Sequence, residues 1–331
     1  MKKRKSLLWI CCLFAALMLS CSIRGTEVKA AKLPSLKVSG TKIVNSKGKT
    51  VQLKGVSTHG LAWYPAYVNQ KSFTYMKKNW KINTVRLAMY TSEYNGYCTG
   101  SAKNRKTQLA RLDKGITYAT NAGLYVIVDW HILSDGNPKK YEKEAIAFFK
   151  RMASKYKNHT NIIYEICNEP NGGTSWKTIK SYATNVIKTI RKYDKNAIIL
   201  VGTPNWSQDV DAAAKSPIKG YKNIMYTLHF YAGTHGSWLR EKAQTALKKK
   251  LPLFVSEFGI CDASGNGNIN KTEGERWISF LNKNKISYIG WNLSNKNESS
   301  ALIKASCKKT TGWKNSELST WGKWLVKKMK G

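Results

Sequence analysis

Apolar runs of strand length recur along the chain, with segments of helical spacing between them. The runs are Val51–Val56, Thr84–Met89, Leu124–Asp129, Ile162–Ile166, Ala197–Val201, Asn223–Leu228, Leu251–Val255 and Ile286–Trp291. They are nearly continuous in hydrophobicity rather than alternating, which marks parallel strands covered on both faces. Between them, Leu109, Leu112, Ile116 and Ala119 recur at steps of three and four. Ile146, Phe149 and Ala153 do the same, as do Tyr182, Val186, Ile187 and Ile190, so each set lines one helix face. Eight strands alternating with helices over about 300 residues predict an α/β fold of the (β/α)8 TIM-barrel type. A doubly wound open sheet is the alternative, but no glycine-rich phosphate turn follows the first strand. Ahead of that strand, Lys37–Gln52 alternates around Gly40 and Lys47-Gly48-Lys49. It reads as a β-hairpin that would close the bottom of the barrel. The last outer helix is expected over Glu317–Leu325.

The N-terminus is of another kind. Met1-Lys2-Lys3-Arg4-Lys5 precedes an apolar stretch from Leu7 to Leu19, and the small residues Ala30 and Ala31 follow. This is the pattern of a secretory signal peptide, assigned to residues 1–30, and it predicts a secreted protein. The stretch is too short to span a bilayer comfortably, so no stable membrane insertion is expected. Lipid attachment at Cys21 is the alternative. Residues 31–331 then suit a single domain, with no Pro/Thr/Ser-rich linker and no repeat. Four cysteines remain outside the signal, Cys98, Cys167, Cys261 and Cys307. They are widely spaced, and no Cys-x-x-Cys pair points to zinc.

The formal net charge is +37, from 56 basic and 19 acidic residues. Such a balance is compatible with weak attraction to anionic surfaces. Nucleic acid is not an expected partner: only nine of the basic residues are arginines, whereas phosphate forks and base readout favour arginine.

In a barrel of this kind, chemistry collects where the strands end. Two strand ends carry a glutamate, in Ile166-Cys167-Asn168-Glu169-Pro170 and in Val255-Ser256-Glu257-Phe258-Gly259. A carboxylate there costs desolvation unless it is used, and a facing pair is what acid/base and nucleophilic work on a sugar acetal requires. Every other predicted strand end also supplies polar or aromatic groups. They are His59 with Trp63 and Tyr64, Arg86 with Tyr90, Asp129-Trp130-His131, Asn205-Trp206, His229-Phe230-Tyr231 and Trp291-Asn292. Aromatic faces such as Trp63, Trp206 and Trp291 can stack on sugar rings, while Asn, His and Tyr can bond hydroxyls. Trp130 is read as core. His59, His131 and His229 each stand alone on a strand with no aspartate clearly joining them, so no metal is expected. No cofactor is called for.

Five strings occur in order: Arg86-Leu87-Ala88-Met89-Tyr90, Asp129-Trp130-His131-Ile132-Leu133, Asn168-Glu169-Pro170, His229-Phe230-Tyr231 and Ser256-Glu257-Phe258-Gly259. Together they resemble glycoside hydrolase family 5, close to the secreted bacterial endoglucanases of its second subfamily. The resemblance implies a (β/α)8 barrel and a retaining endo-β-1,4-glucanase acting on a β-linked polysaccharide. It implies Glu169 as acid/base and Glu257 as nucleophile. Arg86 and Tyr231 would hold the nucleophile, Asn168 the sugar 2-hydroxyl, and His131 and His229 the cleavage subsites. Trp291 would lie under the reacting sugar, with His59, Trp63, Tyr90, Trp206, Lys296 and Glu298 along the groove. Asn295 stands where relatives often have aspartate. Arg86 is expected to lower the pKa of Glu257, and burial to raise that of Glu169. Glucomannan or mannan, lichenan, xyloglucan and xylan are alternative substrates; a non-catalytic glycan-binding barrel is the alternative from another class. A monomer is expected.

Overall fold

The computed structural model describes residues 32–331. The signal assigned to residues 1–30 and Cys21 lie outside them. After a two-stranded hairpin, β1 (Leu36–Ser39) and β2 (Lys42–Asn45), come the eight barrel strands. These are β3 (Lys54–Thr58), β4 (Thr84–Tyr90), β5 (Tyr125–His131), β6 (Ile162–Glu165), β7 (Ile198–Val201), β8 (Ile224–Tyr231), β9 (Leu253–Gly259) and β10 (Tyr288–Leu293). They pair in sequence order, all parallel, and β10 returns to β3 to close the barrel. The predicted (β/α)8 barrel is thus the observed fold.

Each expected strand is present, but most run further toward the polar side than the apolar runs do. Leu251–Val255 becomes Leu253–Gly259, and Val51–Val56 becomes Lys54–Thr58. The ladder continues through functional residues, as in Tyr90↔His131 and His229↔Glu257. Leu53 and Leu251, which precede the strands, are buried in connecting segments.

Three outer helices carry the predicted spacings, α2 (Ala102–Asn121), α3 (Glu142–Tyr156) and α4 (Trp176–Arg191); α7 (Ser237–Lys248), α8 (Lys271–Asn284) and α9 (Thr320–Lys330) complete the larger ones, with the shorter α1 (Gln70–Tyr75), α5 (Pro204–Ser207) and α6 (Val210–Lys215) between them. The α4 face Tyr182, Val186, Ile187 and Ile190 is fully buried. The expected last helix starts later than Glu317, because Ser319 caps it by accepting from the Gly322 amide at 2.9 Å. Residues Asn315–Glu317 form a separate 3-10 turn.

The hairpin does close the bottom. Leu36 and Ile43 pack with Leu53, Ile127, Ile163, Phe254 and Ile289 in one apolar cluster inside the barrel. The Val38 amide donates to Asn223 Oδ1 at 2.9 Å and the Tyr125 hydroxyl to the Pro34 carbonyl at 2.8 Å. Inward-facing strand positions repeat every two residues. Two residues beyond Ile127, Ile163, Phe254 and Ile289 stand Asp129, Glu165, Ser256 and Trp291. All four are buried, so the interior turns from apolar to polar within one step along the strands.

The seam between β3 and β4 is so tight at Gly55 that a Cβ there would lie 2.0 Å from the Thr84 carbonyl oxygen. Gly55→Ala is therefore expected to destabilise the fold by about 1–3 kcal/mol, the usual cost of overpacking. A lower urea midpoint at unchanged m-value is the check.

Candidate active site

Arg86, on β4, is completely buried and lies between the acidic ends of three other strands. Its Nε donates to Glu165 Oε2 at 2.7 Å and its Nη1 to Glu257 Oε2 at 3.0 Å. Its Nη2 reaches Asn168 Oδ1 at 2.6 Å and Asp129 Oδ2 at 3.0 Å. One guanidinium thus orients groups from β5, β6 and β9 and the segment after β6. Glu257 also accepts from the Tyr231 hydroxyl at 2.6 Å. Across the cavity, Glu169 Oε1 lies 2.8 Å from His229 Nδ1. One carboxylate oxygen of each glutamate and a ring nitrogen of His229 fall within 4.8 Å of one another.

These groups line a cleft of about 610 Å3. Of the fourteen residues expected from sequence, eleven line it: Glu169, Glu257, His131, His229, Tyr231, His59, Tyr90, Trp206, Trp291, Lys296 and Glu298. Arg86 and Asn168 are wholly buried and act on the cleft through the groups they hold. Trp63 is not in the lining. It is exposed at the rim, edge-on to Tyr94 at 5.2 Å and 5.8 Å from the His59 ring. Trp130 is fully buried against Tyr97 and Phe148, as expected of a core residue. The Trp291 ring stacks on His131 at 5.2 Å, and the peptide bond that follows it is cis. A second cavity, about 580 Å3, lies at the hairpin end and includes Lys37, Lys222, Lys249 and Lys250. No carboxyl or imidazole lines it, so it lacks the facing carboxyl pair of the cleft.

Two expectations are corrected. An aspartate does join one of the histidines: Asp129 Oδ2 lies 2.7 Å from His131 Nδ1, two residues away on the same strand. And Arg86 does not bring the pKa of Glu257 below the ordinary carboxylate range. Burial, together with repulsion from Glu169, outweighs the attraction of Arg86 and raises it. Burial also pushes Glu169 up to about 8, against the pull of Arg86, and Asp129 up to about 7. Both facing glutamates are therefore held above the ordinary carboxylate range. Hydrogen bonding favours the charge on Glu257, which has a cation and a phenol as donors, whereas Glu169 has one imidazole. Burial lowers His229 to about 4 and His131 to about 3, so both rings are neutral near pH 7.

Glu165 and Ser256 were not picked out from sequence. Glu165 lies inside the run Ile162–Ile166, whose inward parity with Ile163 was the available signal. Trp238, exposed to 43% at the start of α7, also lines the cleft. It stands outside any strand end. Asn295 donates from Nδ2 to the Cys307 carbonyl at 2.9 Å, a bond that an aspartate could not make. Lys296 and Glu298 form an ion pair at the cleft.

The family model for cellulase (glycosyl hydrolase family 5) matches residues 44–297. The chain belongs to this family and is a glycoside hydrolase. It is 44% identical to an endoglucanase of Clostridium saccharobutylicum over 96% of this chain and 71% of that protein. It is 45% identical to endoglucanase A of Butyrivibrio fibrisolvens over 91% of this chain and 70% of that one. Among solved structures, the catalytic domain of Thermobifida fusca endoglucanase Cel5A in complex with cellotetraose is similar at a TM-score of 0.84 and 35% identity. That match covers 90% of this chain and 97% of the other.

Removing Arg86 would strand carboxyls in the barrel without a cation. Arg86→Met is expected to cost about 3–5 kcal/mol at pH 8. The deficit should be smaller at pH 5, where the carboxyls Arg86 held ionised take up protons. Urea midpoints at the two pH values measure both.

Proposed function

We propose that the protein is a secreted, retaining endo-β-1,4-glucanase that hydrolyses internal bonds of cellulose-like chains by double displacement. Glu257 attacks the anomeric carbon while Glu169 protonates the departing glycosidic oxygen, and a glycosyl-enzyme forms on Glu257. Glu169, now ionised, takes a proton from water, which attacks the same carbon and releases the sugar with its β-configuration kept. The observation that carries this reading is the approach of Glu169 and Glu257 to within 4.8 Å through their nearest oxygens. It fits the carboxyl spacing of about 5–5.5 Å in retaining enzymes and falls short of the roughly 6.5–9.5 Å of inverting ones. An internal cleaver also needs a groove that takes chain on both sides of the bond. The open cleft, with Trp206 and Trp238 in its wall and Trp63 at its rim, has that form. The names of the relatives support a glucan substrate. Secretion rests on the residue 1–30 pattern, and a monomer and weak attraction to anionic surfaces complete the proposal.

Azide separates the two glutamates. In Glu257→Ala, azide takes the place of the missing nucleophile, and the product should be the α-glycosyl azide. In Glu169→Ala, acting on 2,4-dinitrophenyl β-cellobioside, azide should attack the glycosyl-enzyme and give the β-azide. The opposite anomers would reverse the assignment, and full unaided turnover by Glu257→Ala would end it. Reducing ends released from carboxymethylcellulose, lichenan, glucomannan, xylan and xyloglucan rank the substrates.

The acid form of Glu169 is needed for the first step, so activity must fall as pH rises through its pKa. The basic limb of the kcat/KM profile is expected near pH 8, in line with a carboxyl pushed up to about 8 by burial.

A further inference from the structure

The second cavity, about 580 Å3, lies at the opposite end of the barrel from the cleft. Its walls are the entries of three strands and the hairpin. Asn196 precedes β7, Tyr221 and Lys222 precede β8, and Lys249 and Lys250 precede β9, while Lys37 and Ser46 come from the hairpin side. The catalytic cleft is built where strands end, so a ligand at this end leaves it open. The volume falls in the range of small-molecule sites, roughly 300–1,000 Å3.

The charge of this cavity has one sign. Lys37, Lys222, Lys249 and Lys250 line it, from three separate segments, and no carboxyl joins them. Among the described residues, the lysines in ion pairs are Lys139, Lys155, Lys242, Lys296, Lys309 and Lys328. None of these lines the cavity. Four cations gathered without a counter-charge repel one another, and a bound anion relieves that repulsion.

The rest of the lining narrows the kind of anion. Tyr226, on the cavity wall, is 2% exposed. Its hydroxyl accepts from the Ile218 amide at 2.7 Å, and among the described residues no acceptor takes its proton. Buried donors are normally satisfied, so this proton calls for a partner in the cavity. Tyr221 is half-buried and adds an aromatic face, while Asn196 and Ser46 add neutral polar groups. An inorganic polyphosphate has no use for an aromatic face, and the guanidinium forks that suit phosphate are absent from the lining. A sugar ring has an apolar face and hydroxyls, and a uronic acid carries one carboxylate per ring. We infer that the cavity is a binding site for an acidic polysaccharide of the polyuronate class. The lysines pair with successive carboxylates, Tyr221 lies against a ring, and Tyr226 donates to the chain.

This site rests on the attraction to anionic surfaces proposed above and gives it a location. Exposed ion pairs are individually weak and screened by salt, but several engaged together hold a chain through effective concentration. An enzyme held in this way keeps its cleft beside any glucan mixed with the acidic polymer.

A short oligogalacturonate, titrated calorimetrically in about 0.1 M NaCl, is the probe, because distant charges are then screened beyond about 10 Å. Wild type should bind it, and Lys222→Gln/Lys249→Gln should bind about tenfold more weakly. Lys103→Gln/Lys106→Gln removes the same charge from exposed positions on α2 and should lose less than about twofold. Tyr221→Leu keeps apolar packing but removes the aromatic face. It should weaken oligogalacturonate by about threefold and leave the binding of inorganic polyphosphate unchanged. Turnover of neutral cello-oligosaccharides should be that of wild type in all three variants. Equal losses in the two lysine pairs, or none in either, overturn the site but leave a diffuse attraction standing; no binding by wild type removes that attraction too. Tighter binding of polyphosphate, with Tyr221→Leu without effect on either anion, overturns the polyuronate assignment. Impaired turnover in Lys222→Gln/Lys249→Gln overturns the independence of the cavity from the cleft.

Discussion

Everything at the mouth of this barrel is arranged around one buried cation. Arg86 meets Asp129, Glu165, Glu257 and Asn168 with three nitrogens of one planar group. A guanidinium suits this because its donors point in fixed, divergent directions and it does not lose its charge. A lysine would present a single point charge and could not hold carboxyls on three different strands in register. The cost of burying so many ionisable groups is large, and one cation does not balance Asp129, Glu165, Glu169 and Glu257 together. The site therefore retains protons near neutrality, and the proposed mechanism uses one of them.

The scaffold makes that concentration of charge possible by keeping it to one end. Inside the barrel, the lower positions are Ile127, Ile163, Phe254 and Ile289, sealed by Leu36 and Ile43 of the hairpin. Only the next inward positions become polar. A carboxyl displaced by one strand step toward the bottom would lose every partner it has. The closed parallel ladder prevents such slippage, since a shift in any strand would break the pairing on both its sides. Stability and function thus divide along the barrel axis: the apolar half fixes the register, and the register fixes the distances that the polar half requires.

Much of this was legible in the sequence, for reasons that separate the hits from the misses. The eight strands showed because strands covered on both faces are continuously apolar. Glu169, Glu257 and the three histidines showed because they interrupt or terminate those runs. Glu165 did not, because it sits among Ile162, Ile163, Tyr164 and Ile166, where a single acid reads as an exception to a hydrophobic run. Asp129 was visible as a residue, but its bond to His131 was not: neighbours two apart on a strand share a face, and the sequence alone does not show that this face turns inward, where both are buried. Trp63 stands at the rim and not in the lining, since proximity to a strand end in sequence does not say how deep in the cleft a side chain sits. The net effect of Arg86 on Glu257 was misjudged because the count of opposite charges is local in sequence terms, whereas desolvation depends on the whole enclosure.

The two glutamates are chemically identical, so the division of labour proposed for them has to come from their neighbours. Glu257 receives hydrogens from Arg86 and Tyr231, both of which are donors at any pH near neutrality. Glu169 faces His229, whose ring nitrogen donates or accepts according to what the other nitrogen meets. The environment of Glu257 is therefore fixed in sign, while that of Glu169 is conditional. A nucleophile needs the first kind, because it must be ionised each time a substrate arrives. An acid that later serves as a base needs the second. A conditional neighbour lets the preference of Glu169 change when its own charge changes, with rearrangement of hydrogens and without displacement of the rigid strands that carry the heavy atoms.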